Sequence, residues 1–403
     1  MNRREFDKLS SRRKFFGLAG TGVAAMAMAP DFSLAGVQKS SIQAFQEGPK
    51  KWVPISDRKI RVGLVGYGAS KFSAAFGFQN HPNVEVVAVS DLFPDRCAEL
   101  AKVTGCKKTY PSLEELVKDD NIEAVFVATD APSHPAHCIE VLKHGKHVAS
   151  AVPAAFGSIE EGELLFEAVK KSGLKYMMFE TSCFRENLYA MRQIYNAGGF
   201  GKLVYTEGEY YHGASLTPQQ GGGGTPSYKD WRKGVPPQWY PTHSNAYYVG
   251  VTGGSFTEVS CLGMRNDLDQ GSNQYNNPFR SEIALFRTSE GGMSRMAVSW
   301  ETPGTSSETG RVRGTEGSYD KEYEGRKKDL PDLNPLGLPP GVPVGGHGGS
   351  HGRLMNEFIT SILEDRKPLV DIIMALNMTV PGIVAHASAM KDGELMKIPQ
   401  FKW

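Results

Sequence analysis

A repeated alternation of short apolar runs and helical segments constrains the fold of residues 59–180 most strongly. The run IRVGLVG (residues 60–66) ends in glycine, and similar runs follow at residues 84–91, 122–130 and 146–153. Short apolar runs of this kind are typical of parallel strands buried on both faces. Their alternation with helical segments predicts an α/β domain with a doubly wound parallel sheet, a Rossmann domain, over residues 59–180.

Residues 181–403 have a different pattern. Residues 202–213 and 281–302 alternate between apolar and polar side chains, and a hairpin is predicted around Glu290, Gly291 and Gly292. These segments predict an α+β domain with an open, mostly antiparallel sheet. Two helices should close the chain, at residues 351–367 and 372–393, with the second interrupted at Pro381. Two segments rich in glycine and proline, residues 217–226 and 330–352, are predicted to be loops long enough to be functional or mobile.

The N-terminus has the layout of an export signal. The segment SSRRKFFGLAGTGVAAMAMAP places paired arginines before a weakly apolar run and small residues. That order predicts a twin-arginine signal over residues 1–35, followed by an N-terminal arm at residues 36–58. The apolar run is shorter than the roughly 20 residues of a membrane span, so we expect export to the periplasm without stable membrane insertion.

Composition limits the classes of partner. The chain carries 45 basic and 44 acidic residues, so it has no basic excess to neutralise a phosphate backbone, and nucleic-acid binding is not expected. Five cysteines stand at long spacings, which predicts no metal site and no disulfide framework. Cys97 and Cys106 could pair in the periplasm, but buried thiols are the favoured interpretation.

The turn after the first predicted strand carries the pattern of a dinucleotide site. Gly66 and Gly68 form a G-x-G where the backbone can approach a pyrophosphate, although Lys71 stands at the place of the third glycine. Asp91 ends the next strand, where its carboxylate can bind ribose hydroxyls and disfavour a 2′-phosphate. Arg96 could cover the adenine. The pattern predicts NAD as the cofactor, and the alternative is a doubly wound domain that binds no dinucleotide.

Two clusters of aromatic and histidine residues could supply catalytic groups. His243 follows Tyr240 by three residues and suits proton abstraction from an alcohol, but it could equally be a buried structural histidine. Tyr210 and His212 alternate on a predicted strand and therefore share one face. If that face is open they line a site, and if it is packed they are core aromatics.

The chain resembles the Gfo/Idh/MocA oxidoreductases from about Lys59 to its C-terminus. The resemblance rests on the order of GLVGYG, VSD, ATDAPSH, HGKHVASAVP, GKLVYTEG, GTEG and MTVPGIVAHASAMKDGELMKIP. It implies a Rossmann domain followed by an open-faced α+β domain, and hydride transfer between a nicotinamide and a carbon of a sugar or polyol. Many such proteins are exported by twin-arginine signals, which allows the cofactor to be loaded before export.

The chain also departs from the common dehydrogenase pattern. Val152, within Ala-Val-Pro, replaces a lysine that assists proton transfer in many members. The motifs VPAA and YPTH resemble instead the branch that contains glycoside hydrolase family 109, whose enzymes use NAD transiently in oxidation, elimination, hydration and reduction. In that branch a Glu-Asn-x-x-Tyr signature is usual. Here Thr181 and Phe184 replace its amide and its phenol, following Glu180.

The residues and the resemblance together give the following assignments. The predicted catalytic residues are His243, Tyr240, Tyr210 and His212. The predicted cofactor-binding residues are Gly66, Gly68, Ala69, Asp91, Arg96, Thr129, His134, Val152, Thr181, Trp231 and Arg232.

Three functions remain open at this point. The favoured one is an exported NAD-dependent oxidoreductase acting on a sugar or sugar derivative. The alternatives are a redox-neutral NAD-dependent glycosidase and a carbohydrate-binding homologue without catalysis. An exposed sheet face also predicts a homo-oligomer.

Overall fold

A computed structural model describes residues 51–212, 231–265, 273–300, 302 and 307–403. The described elements belong to one unit, Pro49–Trp403. The predicted signal at residues 1–35, residues 36–50 of the predicted arm and the predicted loop at residues 217–226 lie outside the described residues.

The first sheet is built from the apolar runs that begin at Ile60. It contains the strands β1 (Ile60–Val65), β2 (Val84–Ser90), β3 (Thr109–Tyr110), β4 (Ala124–Val127), β5 (His147–Ser150) and β6 (Tyr176–Met178). Their order in the sheet is β3-β2-β1-β4-β5-β6, and every neighbouring pair is parallel. This confirms the predicted doubly wound sheet. The strand order reverses between β1 and β4, because the connections on the two sides of β1 run in opposite directions. A crevice therefore forms at the carboxyl ends of β1 and β4, which is where such sheets bind ligands.

Helices cover both faces of the first sheet. They are α1 (Phe72–Ala75), α2 (Pro94–Thr104), α3 (Leu113–Leu116), α4 (His134–Lys143) and α5 (Ile159–Ser172). The segment FSAAFGFQNH predicts a longer first helix, over residues 72–81, but α1 ends before Gly77, which has a φ of 80°. A left-handed residue cannot continue a right-handed helix, so the chain resumes as a short 3₁₀ turn at Phe78–Asn80.

The second sheet is mostly antiparallel, as the alternating patterns predict. Its strands are β7 (Leu203–Tyr211), β8 (Phe256–Arg265), β9 (Phe279–Thr288), β10 (Met293–Ser299), β11 (Ser307–Gly314), β12 (Gly317–Tyr319), β13 (Tyr323–Gly325) and β14 (Met396–Lys397). The order is β13-β12-β11-β7-β10-β9-β8-β14, and β7 and β10 form the parallel pair. The predicted hairpin joins β9 to β10, and Gly291 has the positive φ that this turn needs.

Helices α6 (Glu186–Asn196), α7 (Thr242–Thr252), α8 (Gly346–Gly349), α9 (His351–Leu363) and α10 (Ile372–Ala389) complete the structure. The predicted interruption at Pro381 is wrong, because α10 continues through that residue. A proline removes one helical hydrogen bond, but α10 is largely buried and its packing favours the helix. The Asn245 side chain also donates to the backbone oxygen of Met378 in this helix at 2.7 Å.

Two of these helices bind the layers together. Leu354 and Phe358 of α9 pack into the core of the first sheet with Ile60 and Phe126. Helix α10 packs against β8, α7 and α5. Among the described residues, α10 is also the helix with the length and apolar composition of a membrane span, and 83% of it is buried within the protein.

All five cysteines are buried thiols that form no disulfide. Cys97 and Cys106 therefore agree with the favoured interpretation of the sequence. Burial raises the pKa of both thiols, which keeps them protonated and poorly reactive.

Candidate active site

A cavity of about 360 Å³ opens at the carboxyl ends of β1, β2 and β4. All of the predicted cofactor-binding residues except Thr181 line it, together with the predicted catalytic residue Tyr240: Gly66, Gly68, Ala69, Asp91, Arg96, Thr129, His134, Val152, Trp231 and Arg232. The cavity thus joins the turn after β1 to residues near α7 of the second domain.

The turn after β1 leaves room for a phosphate group. Gly66 has a φ of +92°, and a Cβ there would lie 2.4 Å from the backbone oxygen of Ala128. At Gly68 a Cβ would meet nothing within 4 Å, so its backbone is open to the cavity. Lys71, at the place of the missing third glycine, adopts a φ of 48°, a conformation that glycine adopts without steric cost. Lys71 therefore takes a backbone conformation that favours glycine although it carries a side chain.

Asp91 lies where a ribose carboxylate partner is expected, at the end of β2. Its Oδ2 accepts a hydrogen bond from the backbone N–H of Tyr67 at 2.6 Å, and its Oδ1 accepts from that of Phe93 at 2.8 Å. Each carboxylate oxygen has a second lone pair for a ligand hydroxyl. Arg96 stacks beside it, with its guanidinium carbon 4.2 Å from the Phe93 ring centre. These contacts fix the carboxylate that favours an unphosphorylated ribose.

His134 borders the cavity, but both of its ring nitrogens face backbone carbonyls. Nδ1 lies 3.0 Å from the oxygen of Pro153, and Nε2 lies 3.2 Å from the oxygen of Thr129. Burial lowers the pKa of His134, so the ring is neutral and donates to one of the two carbonyls. His134 therefore holds the segment with Val152 and Pro153 against the turn after β4.

Stacked aromatic rings form the wall between the cavity and α7. Trp231 stacks on Tyr240 with ring centres 6.4 Å apart, and Tyr240 stacks on Tyr210 at 6.2 Å. Arg232 lies 4.3 Å from the Trp231 ring centre. Burial raises the pKa of Tyr240 to about 12, and burial also raises that of Tyr210 well above its usual value. Both phenols are therefore protonated and can donate hydrogen bonds at neutral pH.

The structure shows whether the face of β7 that carries Tyr210 is packed or lines the site. It lies on the face of the second sheet that α7 covers, since Gly208 on the same side packs against the backbone of Ser244. The Tyr210 ring centre is 4.5 Å from that of His243, so Tyr210 is packed and also borders the candidate site. His212 lies further along, with its ring centre 6.0 Å from that of Tyr210.

His243 is held by a buried carboxylate. Its Nδ1 lies 2.7 Å from Oε1 of Glu180, whose side chain is fully buried after β6. Thr181 lies beside this pair, with Oγ1 3.4 Å from Nδ1 of His243, and its predicted contact with the cofactor stays a prediction. Because Nδ1 donates to Glu180, Nε2 is the nitrogen that can take a proton from a substrate.

The charges around His243 increase its basicity. Burial alone would lower the pKa of His243, but the charges of Glu180 and Glu308 outweigh it and raise that pKa above its usual value. Burial alone would likewise raise the pKa of Glu180, and the charge and hydrogen bond of His243 bring it below the usual value. When His243 is neutral, Nδ1 donates to Glu180 and the lone pair on Nε2 can act as a general base of increased basicity.

The second carboxylate, Glu308, is the second residue of β11 and lies 4.0 Å from Nδ1 of His243. It forms an ion pair with Arg185 and accepts a hydrogen bond from the hydroxyl of Ser182 at 3.2 Å. Sequence reasoning missed Glu308 and Arg185, because neither stands in a recognisable motif. Glu180 is the retained first residue of the Glu-Asn-x-x-Tyr signature, and that retention was the available signal.

Two departures from the family pattern have clear places in the structure. Val152 is buried at the cavity wall and offers no titratable group there. Phe184 is partly buried and packs against both large hydrophobic cores, so it acts in packing. Val152 therefore supplies no base, and His243, whose orientation Glu180 fixes, remains the candidate base of the site.

The part of the chain that forms the cavity turn matches a known family profile. The profile of the Gfo/Idh/MocA family, described as an oxidoreductase family with an NAD-binding Rossmann fold, matches residues 60–180. A glycosyl hydrolase family 109 protein of Solibacter usitatus is 25% identical over 400 residues, covering 85% of this chain and 89% of the relative. Another, from Phocaeicola vulgatus, is 32% identical over 163 residues, covering 38% of this chain and 29% of the relative.

Solved structures share the fold. A levoglucosan dehydrogenase in complex with NADH and levoglucosan superposes with a TM-score of 0.66 at 18% identity, over 85% of this chain and all of the other. The myo-inositol dehydrogenase of Lactobacillus casei, with NAD(H) and myo-inositol, gives 0.65 at 15% identity, over 86% and 98%.

The predicted cofactor is confirmed, because the matched profile is that of an NAD-binding domain and the cavity lies at its turn. Residues 60–180 match the NAD-binding Rossmann domain of the Gfo/Idh/MocA oxidoreductase family. Over most of its length the chain is also similar to glycosyl hydrolase family 109 proteins.

Proposed function

We propose that the protein is an NAD-dependent oxidoreductase that acts on a secondary alcohol of a sugar or polyol. The observation that carries this proposal is His243, which is fixed by Glu180 and joined to the NAD cavity through Tyr210 and Tyr240. The matches to sugar and inositol dehydrogenases support the substrate class.

His243, Glu180 and Tyr240 have separate roles in the proposed reaction. NAD supplies the hydride acceptor when it is bound. Nε2 of His243 takes the hydroxyl proton, while Glu180 stabilises the resulting imidazolium. The phenol of Tyr240, which faces the cavity, donates a hydrogen bond to the substrate oxygen. The aromatic wall keeps water away from the reacting carbon.

The relatives in family 109 support a second candidate, a redox-neutral glycosidase. In that reaction, oxidation of the sugar is followed by elimination of the aglycone, addition of water and reduction. Elimination requires a second proton acceptor, for which Tyr210 and His212 are the candidates named by the sequence. The raised pKa of Tyr210 disfavours its phenolate at neutral pH. Phe184 also replaces the phenol of the family 109 signature, so we place net oxidation first.

One experiment separates these candidates. The purified protein with its own cofactor is mixed with a panel of chromogenic glycosides, free sugars and polyols, while NADH absorbance and aglycone release are recorded together. NADH accumulation without aglycone release supports the oxidoreductase. Aglycone release without net NADH supports the glycosidase. If neither NADH nor free aglycone appears, the oxidoreductase and the glycosidase are both contradicted, and the carbohydrate-binding homologue remains.

Export to the periplasm through the twin-arginine route and assembly into a homo-oligomer are further proposals. The first rests on residues 1–35. The second is supported by exposed apolar side chains on the outer face of the second sheet: Leu262, Met264, Ile283, Leu285 and Met293. Arg12→Lys/Arg13→Lys should keep the protein in the cytoplasm, and light scattering should give the oligomer mass.

A further inference from the structure

Two histidines form a hydrogen-bonded chain next to the candidate active site. His351 is the first residue of α9, and its Nδ1 lies 3.2 Å from the backbone oxygen of Ala75 in α1. Its Nε2 lies 2.8 Å from Nδ1 of His347, in the glycine-rich segment before α9. The chain of two imidazoles therefore runs from the backbone of α1 to the Nε2 atom of His347.

The backbone carbonyl of Ala75 determines which ring nitrogens of the two histidines carry protons. A carbonyl oxygen only accepts hydrogen bonds, so Nδ1 of His351 donates to Ala75. Burial lowers the pKa of His351, so its ring is neutral at pH 7 and its Nε2 has a lone pair. That lone pair must accept the hydrogen bond from Nδ1 of His347.

The same logic applies to the second ring. Desolvation, and then the charge of His243, lower the pKa of His347 to about 4, so His347 is also neutral at pH 7. A neutral imidazole that carries its proton on Nδ1 has a lone pair on Nε2. His347 therefore presents a hydrogen-bond acceptor that cannot act as a donor at neutral pH.

His347 lies between the NAD cavity and the His243 cluster. Its ring centre is 5.7 Å from that of Phe72, which lines the cavity. The adjacent Gly348 lies against the side chain of Arg185, the partner of Glu308. The His347 side chain is only partly buried, so a ligand can reach it.

We propose that Nε2 of His347 accepts a hydrogen bond from a substrate hydroxyl, and that His351 is a positioning residue that holds His347 in this tautomer. The proposal rests on the proposed function, since a sugar or polyol supplies the hydroxyl donor. An acceptor that cannot donate distinguishes a hydroxyl from a carbonyl or an ether oxygen at the same position. His347 thereby determines specificity beside the catalytic His243.

The tautomer can be measured without turnover. Two-bond ¹H–¹⁵N correlation spectra of the ¹⁵N-histidine-labelled protein at pH 7 distinguish protonated from unprotonated ring nitrogens, and His347→Asn identifies the signals. We expect Nδ1 of His347 to be protonated and Nε2 to be unprotonated. In His351→Phe the proton should move largely to Nε2, whereas His351→Gln, whose amide oxygen still accepts, should keep the wild-type pattern. A protonated Nε2 in the wild-type protein would overturn the proposal whatever the activity.

Kinetics test the contact with the substrate. On the sugar or polyol turned over in the panel, His347→Asn should raise KM about tenfold with kcat within about twofold, because one hydrogen bond is lost. His347→Gln, which places an amide oxygen near the former Nε2, should restore most of the loss. Equal KM values in both variants and the wild type would reject the substrate contact. If no compound is turned over, that contact falls with the proposed function, while the spectra still decide the tautomer.

Discussion

Nδ1 of His243 lies 2.7 Å from Oε1 of Glu180, a carboxylate with no solvent exposure. The same oxygen accepts a hydrogen bond from the backbone N–H of Ser182 at 2.9 Å, which fixes its position. The carboxylate therefore orients the imidazole and raises its pKa. Residues distant in the sequence thus form one acid–base unit at the junction of the two sheets.

Glu180→Gln should lower the pKa of His243. Activity requires neutral His243, so kcat rises as the pH increases through the pKa of His243. Because Glu180 raises that pKa, the rise in kcat occurs at a higher pH than it would without Glu180. Without the charge of Glu180, the acidic limb of the kcat profile should move down by about one to two pH units, with a lower plateau from a weaker base. The matched variant Glu308→Gln removes a carboxylate 4.0 Å away and should move the limb less. Equal shifts in the two variants would reject the special role of Glu180.

His243→Ala should abolish turnover while NAD binding persists. His243 is outside the set of residues that line the cavity, so its removal leaves the cofactor contacts in place. The loss should be at least about 100-fold in kcat, the usual contribution of a general base. Isothermal titration with NAD⁺ measures the retained binding, and Tyr240→Phe serves as a milder comparison. Retained turnover would remove His243 from the mechanism.

Asp91→Ala should weaken NAD⁺ binding and reduce the ratio of the affinity for NAD⁺ to the affinity for NADP⁺. The structure adds a second effect, because the carboxylate also accepts hydrogen bonds from the N–H groups of Tyr67 and Phe93. The variant should therefore lose about 1–3 kcal/mol of stability as well. Asp91→Asn keeps an acceptor oxygen and removes the charge, so it should recover part of the stability but not the preference. An unchanged preference in both variants contradicts the assignment.

Gly66→Ala and Gly68→Ala form a matched pair. At Gly66 the new Cβ would lie 2.4 Å from the oxygen of Ala128, on a backbone with a φ of +92°, so we expect a loss of about 2 kcal/mol or more. At Gly68 the Cβ would enter open space, so stability should change by less than about 1 kcal/mol while NAD⁺ affinity falls. Urea unfolding and NAD⁺ titration measure both effects. Similar unfolding energies for the two variants would count against this view of the turn.

Lys71→Gly should stabilise the apo-protein. Lys71 has a φ of 48°, a left-handed conformation that costs a non-glycine residue about 1 kcal/mol. Its ion pair with Glu99 is exposed and offsets little of this cost. Lys71→Ala removes the same ion pair but keeps the backbone cost, so it should not gain stability. Thermal unfolding of the two variants checks the difference, and a glycine variant no more stable than the alanine variant would contradict it.

The parallel sheet was predictable because its strands are short apolar runs separated by helical segments. Burial on both faces requires that pattern, and β1, β2 and β4 lie within the predicted runs. The interruption that the sequence predicts at Pro381 is absent, because the local preference of proline opposes a helix whereas the surrounding protein favours one. The helix before Gly77 ends early for a local reason that the glycine itself indicated.

The sequence alone determined the doubly wound sheet, the NAD turn with Gly66, Gly68 and Asp91, and His243 and Tyr240 as candidates for chemistry, because periodicity and turn geometry are local properties. Only the tertiary structure decided that Glu180 holds His243, that Glu308 and Arg185 lie beside them, and that Tyr210 is both packed and next to the site. The contacts of Glu180 with His243 and of Arg185 with Glu308 join residues more than 60 positions apart. Their formation depends on how the two sheets pack, which no local pattern encodes.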